Sequence, residues 1–272
     1  MLNSLKPIQF ILFVVLLLVS TFIASGNKAE SSIVKPHTQY RIIEKRPHNS
    51  KAYTQGLVAS NNMMIESSGR YRRSFITRYP LGAQMQPAEH SYSAGTWPTP
   101  KHLFAEGITL FNDQFYLLSW RKGIAGVYRE KDLQLVTHFK YRGEGWGLTH
   151  NGQSLIMSDG SNTLQFRDPS NFQITSRLPV TLNQRKLKSL NELEYYQGNI
   201  WANVWHKDYI VEIDPESGAV KQQIDLSALV QESSSGHPDS VLNGIAADPQ
   251  GRGLWLTGKY WPWLYLIEIQ SP

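Results

Sequence analysis

The sequence predicts an all-β fold, a five-bladed β-propeller, from three observations. First, a two-residue anchor recurs: Gln55-Gly56, Glu106-Gly107, Trp146-Gly147, Asn191-Glu192 and Asn243-Gly244. The copies lie roughly 40–52 residues apart, the spacing of propeller blades. Second, each anchor leads through a polar turn into a second apolar run. The turns are Asn61-Asn62, Asn112-Asp113-Gln114, Asn151-Gly152, Gln197-Gly198 and Gln250-Gly251. Apolar runs split by such turns read as β-hairpins. Third, no stretch of the chain shows sustained 3.6-residue periodicity, and the candidate helices are short, chiefly Ser227 to Val230.

The second copy is the clearest. Leu103 to Trp120 reads LFAEGITLFNDQFYLLSW. The runs Ile108 to Phe111 and Phe115 to Leu118 flank the turn, Glu106 opens the first, and Trp120 closes the second. A ring of four-stranded blades protects its sheet edges, and the first strand of each blade lines the central channel. The first residue of each anchor then faces that channel: Gln55, Glu106, Trp146, Asn191 and Asn243. A carboxylate among amides and indoles at one mouth of the ring marks a candidate site.

Taken in order, the chain of 272 residues, 41% of them hydrophobic, is long enough for one large all-β domain. Lys6 precedes an apolar run from Ile8 to Ala24, and Ala24-Ser25-Gly26 supplies small residues at cleavage-like spacing. Residues 1–26 therefore read as a signal peptide or an N-terminal anchor, with residues 8–24 as a possible membrane tether. Residues 27–38 read as a flexible tether, and residues 39–272 as the propeller. The domain is expected to be exported, periplasmic or secreted. Tyr40 to Glu44 alternates like a strand, and Leu264 to Ile269 ends the chain on another. The two are expected to share one blade and close the ring. Arg70 to Arg73 and Arg78 form a basic patch. Pro87 to Pro100, with Trp97, reads as a loop-like insertion, and Gln231 to Asp239 as a surface loop.

Composition narrows the chemistry. There is no Cys, so disulfides and Cys-based metal sites are excluded. The net charge of +5 is spread over scattered basic residues without a nucleic-acid motif, so no nucleic-acid partner is expected. The eight His form no His-Glu-x-x-His motif. No Gly-x-Ser-x-Gly elbow is present, and Ser68-Gly69 and Ser158-Asp159-Gly160 read as turns. Glu192 and Glu194 compete with Glu106 for a catalytic role, or bond blade backbone instead.

The segments PHNSKAYTQGL, ESSGRYRRS, FAEGITL, EGWGLTHNG, SDGSNTL, LNELEYYQGNIWANVW, VLNGIAAD and TGKYWPWLYLI occur in this order between about residues 40 and 269. In this the chain resembles the glutaminyl cyclases of plants and bacteria, five-bladed propellers of the glutaminyl-peptide cyclotransferase class. The resemblance implies conversion of an N-terminal glutamine to pyroglutamate with release of ammonia. It implies Glu106 as proton shuttle, Asn191 and Lys259 as the groups that hold the developing oxyanion, and Gln55 as a substrate-binding amide. It implies Tyr53, Phe104, Trp120, Trp146 and Trp205 as aromatic walls. Peptides or proteins with an N-terminal glutamine would be the partners and no cofactor would be needed, with a structural divalent ion in the channel as an open possibility. The protein is expected to act as a monomer.

Three positions depart from the family pattern. Tyr53 stands where Phe is usual, Arg72 where Gly is usual, and Trp263 where Lys is usual. Two other classes fit the same residues. Asn243-Gly244-Ile245-Ala246 resembles a segment of metal-dependent lactonase propellers, with Glu106, Asn191 and Asn243 as possible ligands. A non-catalytic binding propeller of the envelope would use the same aromatic mouth.

Overall fold

The computed structural model describes residues 33–34, 36–37, 39–81 and 95–270. The segment expected to be a signal peptide or anchor, including residues 8–24, lies outside them. Five four-stranded antiparallel sheets follow one another along the chain as the blades of a propeller. Blade one comprises Thr54–Ser60, Met63–Ser68, Phe75–Pro80 and Thr96–Pro98. Blade two comprises Ala105–Phe111, Gln114–Ser119, Ile124–Arg129 and Leu135–Lys140. Blade three comprises Leu148–His150, Leu155–Met157, Thr163–Arg167 and Ile174–Pro179. Blade four comprises Leu190–Tyr196, Asn199–Val204, Tyr209–Ile213 and Val220–Asp225.

Blade five joins the two ends of the domain. Leu242–Ala247, Leu254–Gly258 and Trp263–Ile269 come from the C-terminal end, and Tyr40–Pro47 supplies the outer strand. Tyr40 pairs with Ile269 and Pro47 with Trp263, so the expected closure is present. Pro36–His37 adds a short parallel strand to the outside of blade four, and Val34 exchanges hydrogen bonds with the Asn183 side chain. Of residues 27–38, expected as a tether, Val34, Pro36 and His37 thus make backbone contacts with blade four and Asn183. Trp97, expected in a loop, lies in the outer strand of blade one, where it pairs with Ile76. A single Trp among turn formers gave no strand signal, because an outer strand needs a partner on one side only. The one helix among the described residues runs Ser227–Ser233.

Turn chemistry fixes the inner hairpins. Asn61 and Asn62, Asn112 and Asp113, and Gln197 and Gly198 all adopt positive φ, as a two-residue type I′ turn requires. The core consists of five apolar clusters, one for each pair of neighbouring blades. Leu57 and Met64 of blade one pack on Trp255 and Leu266 of blade five, and Ile65 and Ile76 pack on Phe115 and Leu117 of blade two. Each sheet is therefore covered on both faces, so burial of apolar surface holds the ring closed without a disulfide.

The five innermost strands touch in sequence around the axis, and blade five returns to blade one. At Gly107 an added Cβ would lie 2.5 Å from Leu148 N, and at Gly147 it would lie 2.0 Å from Asn191 O. Only glycine allows that approach. The fourth anchor position holds Glu192 instead. Its buried carboxylate accepts hydrogen bonds from Leu57 N at 3.3 Å and Ile245 N at 2.8 Å, tying blade four to blades one and five. Glu194 accepts from Ala247 N at 2.8 Å and Thr149 Oγ1 at 3.3 Å. Both carboxylates bond groups of neighbouring blades as inter-blade ties, the backbone-bonding alternative expected for them. Asp159 anchors a turn through Ser161 N and holds Gln165 Nε2.

Candidate active site

The anchor residues reach the channel because the inner strands are irregular there. Strand pairing shifts between Thr54 and Gly56, Ala105 and Ile108, Leu190 and Leu193, and Leu242 and Ile245. Such bulges re-aim a side chain out of the ladder. Gln55, Glu106, Asn191 and Asn243 all sit on these shifts. Trp146 lies just before the short inner strand of blade three.

Side chains of neighbouring blades lock the bulged backbone. Ser67 Oγ donates to Glu106 O at 2.6 Å, and Ser158 Oγ donates to Asn191 O at 2.6 Å. Gly107 N donates to Trp146 O at 2.6 Å. Ser158 therefore does more than begin the expected turn.

All nine residues expected at the site line one cavity of about 230 Å³: Tyr53, Gln55, Phe104, Glu106, Trp120, Trp146, Asn191, Trp205 and Lys259. Arg70 completes the lining. Glu106 and Lys259 are 4% and 3% exposed, so neither faces bulk solvent. Asn191 Nδ2 donates to Asn243 Oδ1 at 2.8 Å. Asn243 Nδ2 donates to Thr54 O at 2.8 Å and to Gln55 Oε1 at 3.4 Å. Gln55 in turn hydrogen-bonds Glu106. Four anchor residues thus form one polar chain in which each member orients the next.

The electrostatics follow from burial. Desolvation pushes the Glu106 carboxyl well above the ordinary carboxylate range; Lys259 opposes this, the Glu144 charge adds to it, and the Gln55 hydrogen bond opposes it. Desolvation also lowers Lys259, to about 8, against the pull of Glu106. Its Nζ lies 4.5 Å from the centre of the Tyr53 ring. The cavity therefore holds a carboxyl that burial drives toward its protonated form, beside a cation that has little water to solvate it.

The aromatic walls are built, not incidental. Glu144 accepts the indole N–H of Trp120 at 2.7 Å and of Trp146 at 3.0 Å, and Arg121 Nε binds its other oxygen at 2.9 Å. Burial works against its charge, yet the Trp146, Arg121 and Trp120 donors together hold Glu144 below the ordinary carboxylate range. Trp205 stands edge-on to Trp146 at 5.6 Å and is 42% exposed, which makes it a rim residue rather than core packing. Arg70 lies over the Tyr53 ring at 3.9 Å, donates to Tyr260 Oη at 2.7 and 3.1 Å, and pairs with Asp239 at 3.0 Å.

Glu144 and Arg70 were not legible as site residues. Glu144 stands two residues before Trp146 in the EGWGL segment, and that spacing is the one signal available. Arg70 is hidden among the basic residues of blade one.

The departures also have places. Arg72 has φ of 69°, the left-handed conformation for which glycine is suited, so the arginine carries the anticipated strain. Trp263 is clear of the cavity, and Lys45 Nζ lies 4.1 Å over its ring. Burial raises the Tyr53 hydroxyl to about 12, so it stays protonated. Glu106, Asn191 and Asn243, the residues considered as possible metal ligands, are linked through Gln55 in the amide chain. No group of three or more His, Cys, Asp or Glu that could hold a metal occurs among the described residues.

The glutamine cyclotransferase family profile matches residues 14–269. The chain belongs to the glutamine cyclotransferase family. It is 33% identical to a glutaminyl-peptide cyclotransferase of Arabidopsis thaliana, over 97% of this chain and 82% of that one. Its fold matches the crystal structure of Myxococcus xanthus glutaminyl cyclase with a TM-score of 0.77 and 33% identity, over 86% of this chain and 98% of that one. Membership in the glutamine cyclotransferase family thus rests on nearly the full chain, in agreement with the resemblance carried by the short segments.

Glu144→Ala removes the shared acceptor of two wall indoles. For this variant the KM of a cyclisable peptide is expected to rise about 3–10-fold, from the loss of hydrogen bonds to a charged group. The change in kcat should be smaller. A Michaelis–Menten series on the variant checks it, and an unaltered KM would mean that the indoles hold their places without Glu144.

Proposed function

We propose that this protein is a glutaminyl-peptide cyclotransferase that closes the N-terminal glutamine of exported peptides into pyroglutamate. The observation that carries the proposal is the shared cavity: a desolvated carboxyl, a desolvated ammonium and an orienting amide, walled by aromatic rings. Binding and nothing more would not require a buried carboxyl beside a buried lysine, each of which costs solvation.

In the reaction the α-amine nitrogen attacks the Cδ of its own side-chain amide. A C–N bond forms, the C–NH2 bond breaks, and ammonia leaves. The attack is intramolecular, so holding the chain in the folded conformer supplies much of the acceleration. The indoles of Trp120, Trp146 and Trp205 would grip the glutamine stem and exclude water. Glu106 would take a proton from the attacking amine and return it to the leaving nitrogen, so no net proton is consumed. Lys259 and the second amide hydrogen of Asn191 would stabilise the oxyanion. Gln55 would orient Glu106 and bind the substrate. Residues 1–26 would direct the domain out of the cytoplasm.

The test is incubation of the purified chain with a glutamine-initiated peptide, with and without chelator, following ammonia and the peptide mass. Release above the spontaneous rate in both arms is expected. Activity lost in chelator would favour the metal-dependent hydrolase, and saturable binding without product would favour the binding propeller.

A further inference from the structure

A second depression adjoins the cavity. Its volume is about 750 Å³, and it shares Tyr53, Arg70 and Phe104 with the first as common walls. Tyr71 and Tyr260 extend its aromatic floor, and Lys51 and Arg73 stand on its sides. Tyr53 meets Tyr260 edge-on at 5.3 Å, and Tyr71 meets Phe104 at 5.3 Å, so the floor is one continuous aromatic surface. No carboxylate lines it.

The cations differ in their commitments. The Arg70 guanidinium is paired with Asp239 and bonded to Tyr260, and so acts as a fixed partition between the two depressions. Lys51 and Arg73 are exposed, and neither makes an ion pair among the described residues. Two positive charges without an ion pair among the described residues therefore flank an aromatic groove that opens beside the reactive cavity. The Trp146–Trp205 pair lines the reactive cavity only, and Arg121, which lines neither depression, is bound to Glu144.

We infer that this groove is the binding site for the residues that follow the glutamine, and that it selects peptides with an acidic side chain there. The inference rests on the cyclase reading, because it places the first residue in the cavity with its amine at Glu106. The chain then leaves over the Tyr53–Arg70–Phe104 partition. A carboxylate at the next one or two positions meets Lys51 and Arg73, while a lysine there meets like charge. Each contact is solvent-exposed, so each is worth a few-fold at most and depends on salt.

The test uses three amidated peptides, Gln-Glu-Ala, Gln-Ala-Ala and Gln-Lys-Ala, and compares their kcat/KM values. The acidic peptide is expected to lead the lysine peptide by about 3–10-fold. In the Lys51→Ala/Arg73→Ala variant the ratio should fall toward one. It should also fall at about 1 M salt, where the screening length is about 3 Å. Equal values in the wild type, or a preference that survives the double substitution, overturn the inference. Binding of the product peptides pyroglutamyl-Glu-Ala-amide and pyroglutamyl-Lys-Ala-amide, followed by tryptophan fluorescence, separates the groove from the chemistry. If no peptide yields ammonia, the cyclase reading fails, and the groove stands or falls on whether the acidic product peptide binds more tightly.

Discussion

Replacing Glu106 by Gln is expected to lower kcat on a glutamine-initiated peptide by about 10²–10⁴-fold, the range for loss of a positioned acid–base group. The substitution keeps the shape of the side chain and its ability to meet Gln55, and removes the ability to carry a proton. The fold should tolerate it. The carboxyl is buried, and desolvation already disfavours its charge, so a neutral amide imposes no new solvation cost. The melting temperature should therefore stay level or rise slightly. A variant that melts normally and turns over within about twofold of the wild type would remove Glu106 from the proton path. Some activity is expected to remain, because the cavity walls still hold the substrate in its folded conformer.

The propeller was legible because its determinants are local and repeated. A polar two-residue turn, an apolar run on either side and a fixed period recur in each copy, and each is a feature of the chain alone. The ring closure was readable from an unpaired strand at each end of the domain. The candidate site was legible in the first residue of each anchor, although the reason these residues face the channel was not. That reason is the pairing shift on each inner strand, and a bulge is defined by the partner strand as much as by its own sequence. The same limit hid Ser67 and Ser158, which act on the neighbouring blade. It hid Glu144, whose two indole partners are brought together by the folding of blades two and three. Glu192 and Glu106 occupy successive positions relative to their anchors and so look alike in sequence. One faces a cavity and the other faces backbone N–H groups, and that difference exists only in three dimensions.

Lys259→Met is expected to lower kcat by about 10²–10³-fold, the scale for losing one preorganised donor to an oxyanion. Methionine keeps the length and apolar stem of lysine and removes the charge. The removal acts twice. It takes a donor from the developing oxygen, and it removes the cation that opposes the rise of the Glu106 pKa. The two effects are distinguishable in the pH profile of kcat at saturating peptide. In the wild type the rate should climb as Glu106 loses its proton, since the carboxylate is the form that accepts one. It should fall as pH passes about 8, where Lys259 gives up its charge. In the variant the alkaline fall should vanish, and the acid limb should move to higher pH, because an unopposed carboxyl holds its proton longer. An alkaline limb that persists unchanged in Lys259→Met would assign it to another group and leave the lysine a purely structural cation. The buried pair is thus tested through its coupling: each group sets the protonation of the other, and the window in which both are charged is the window in which the site can work.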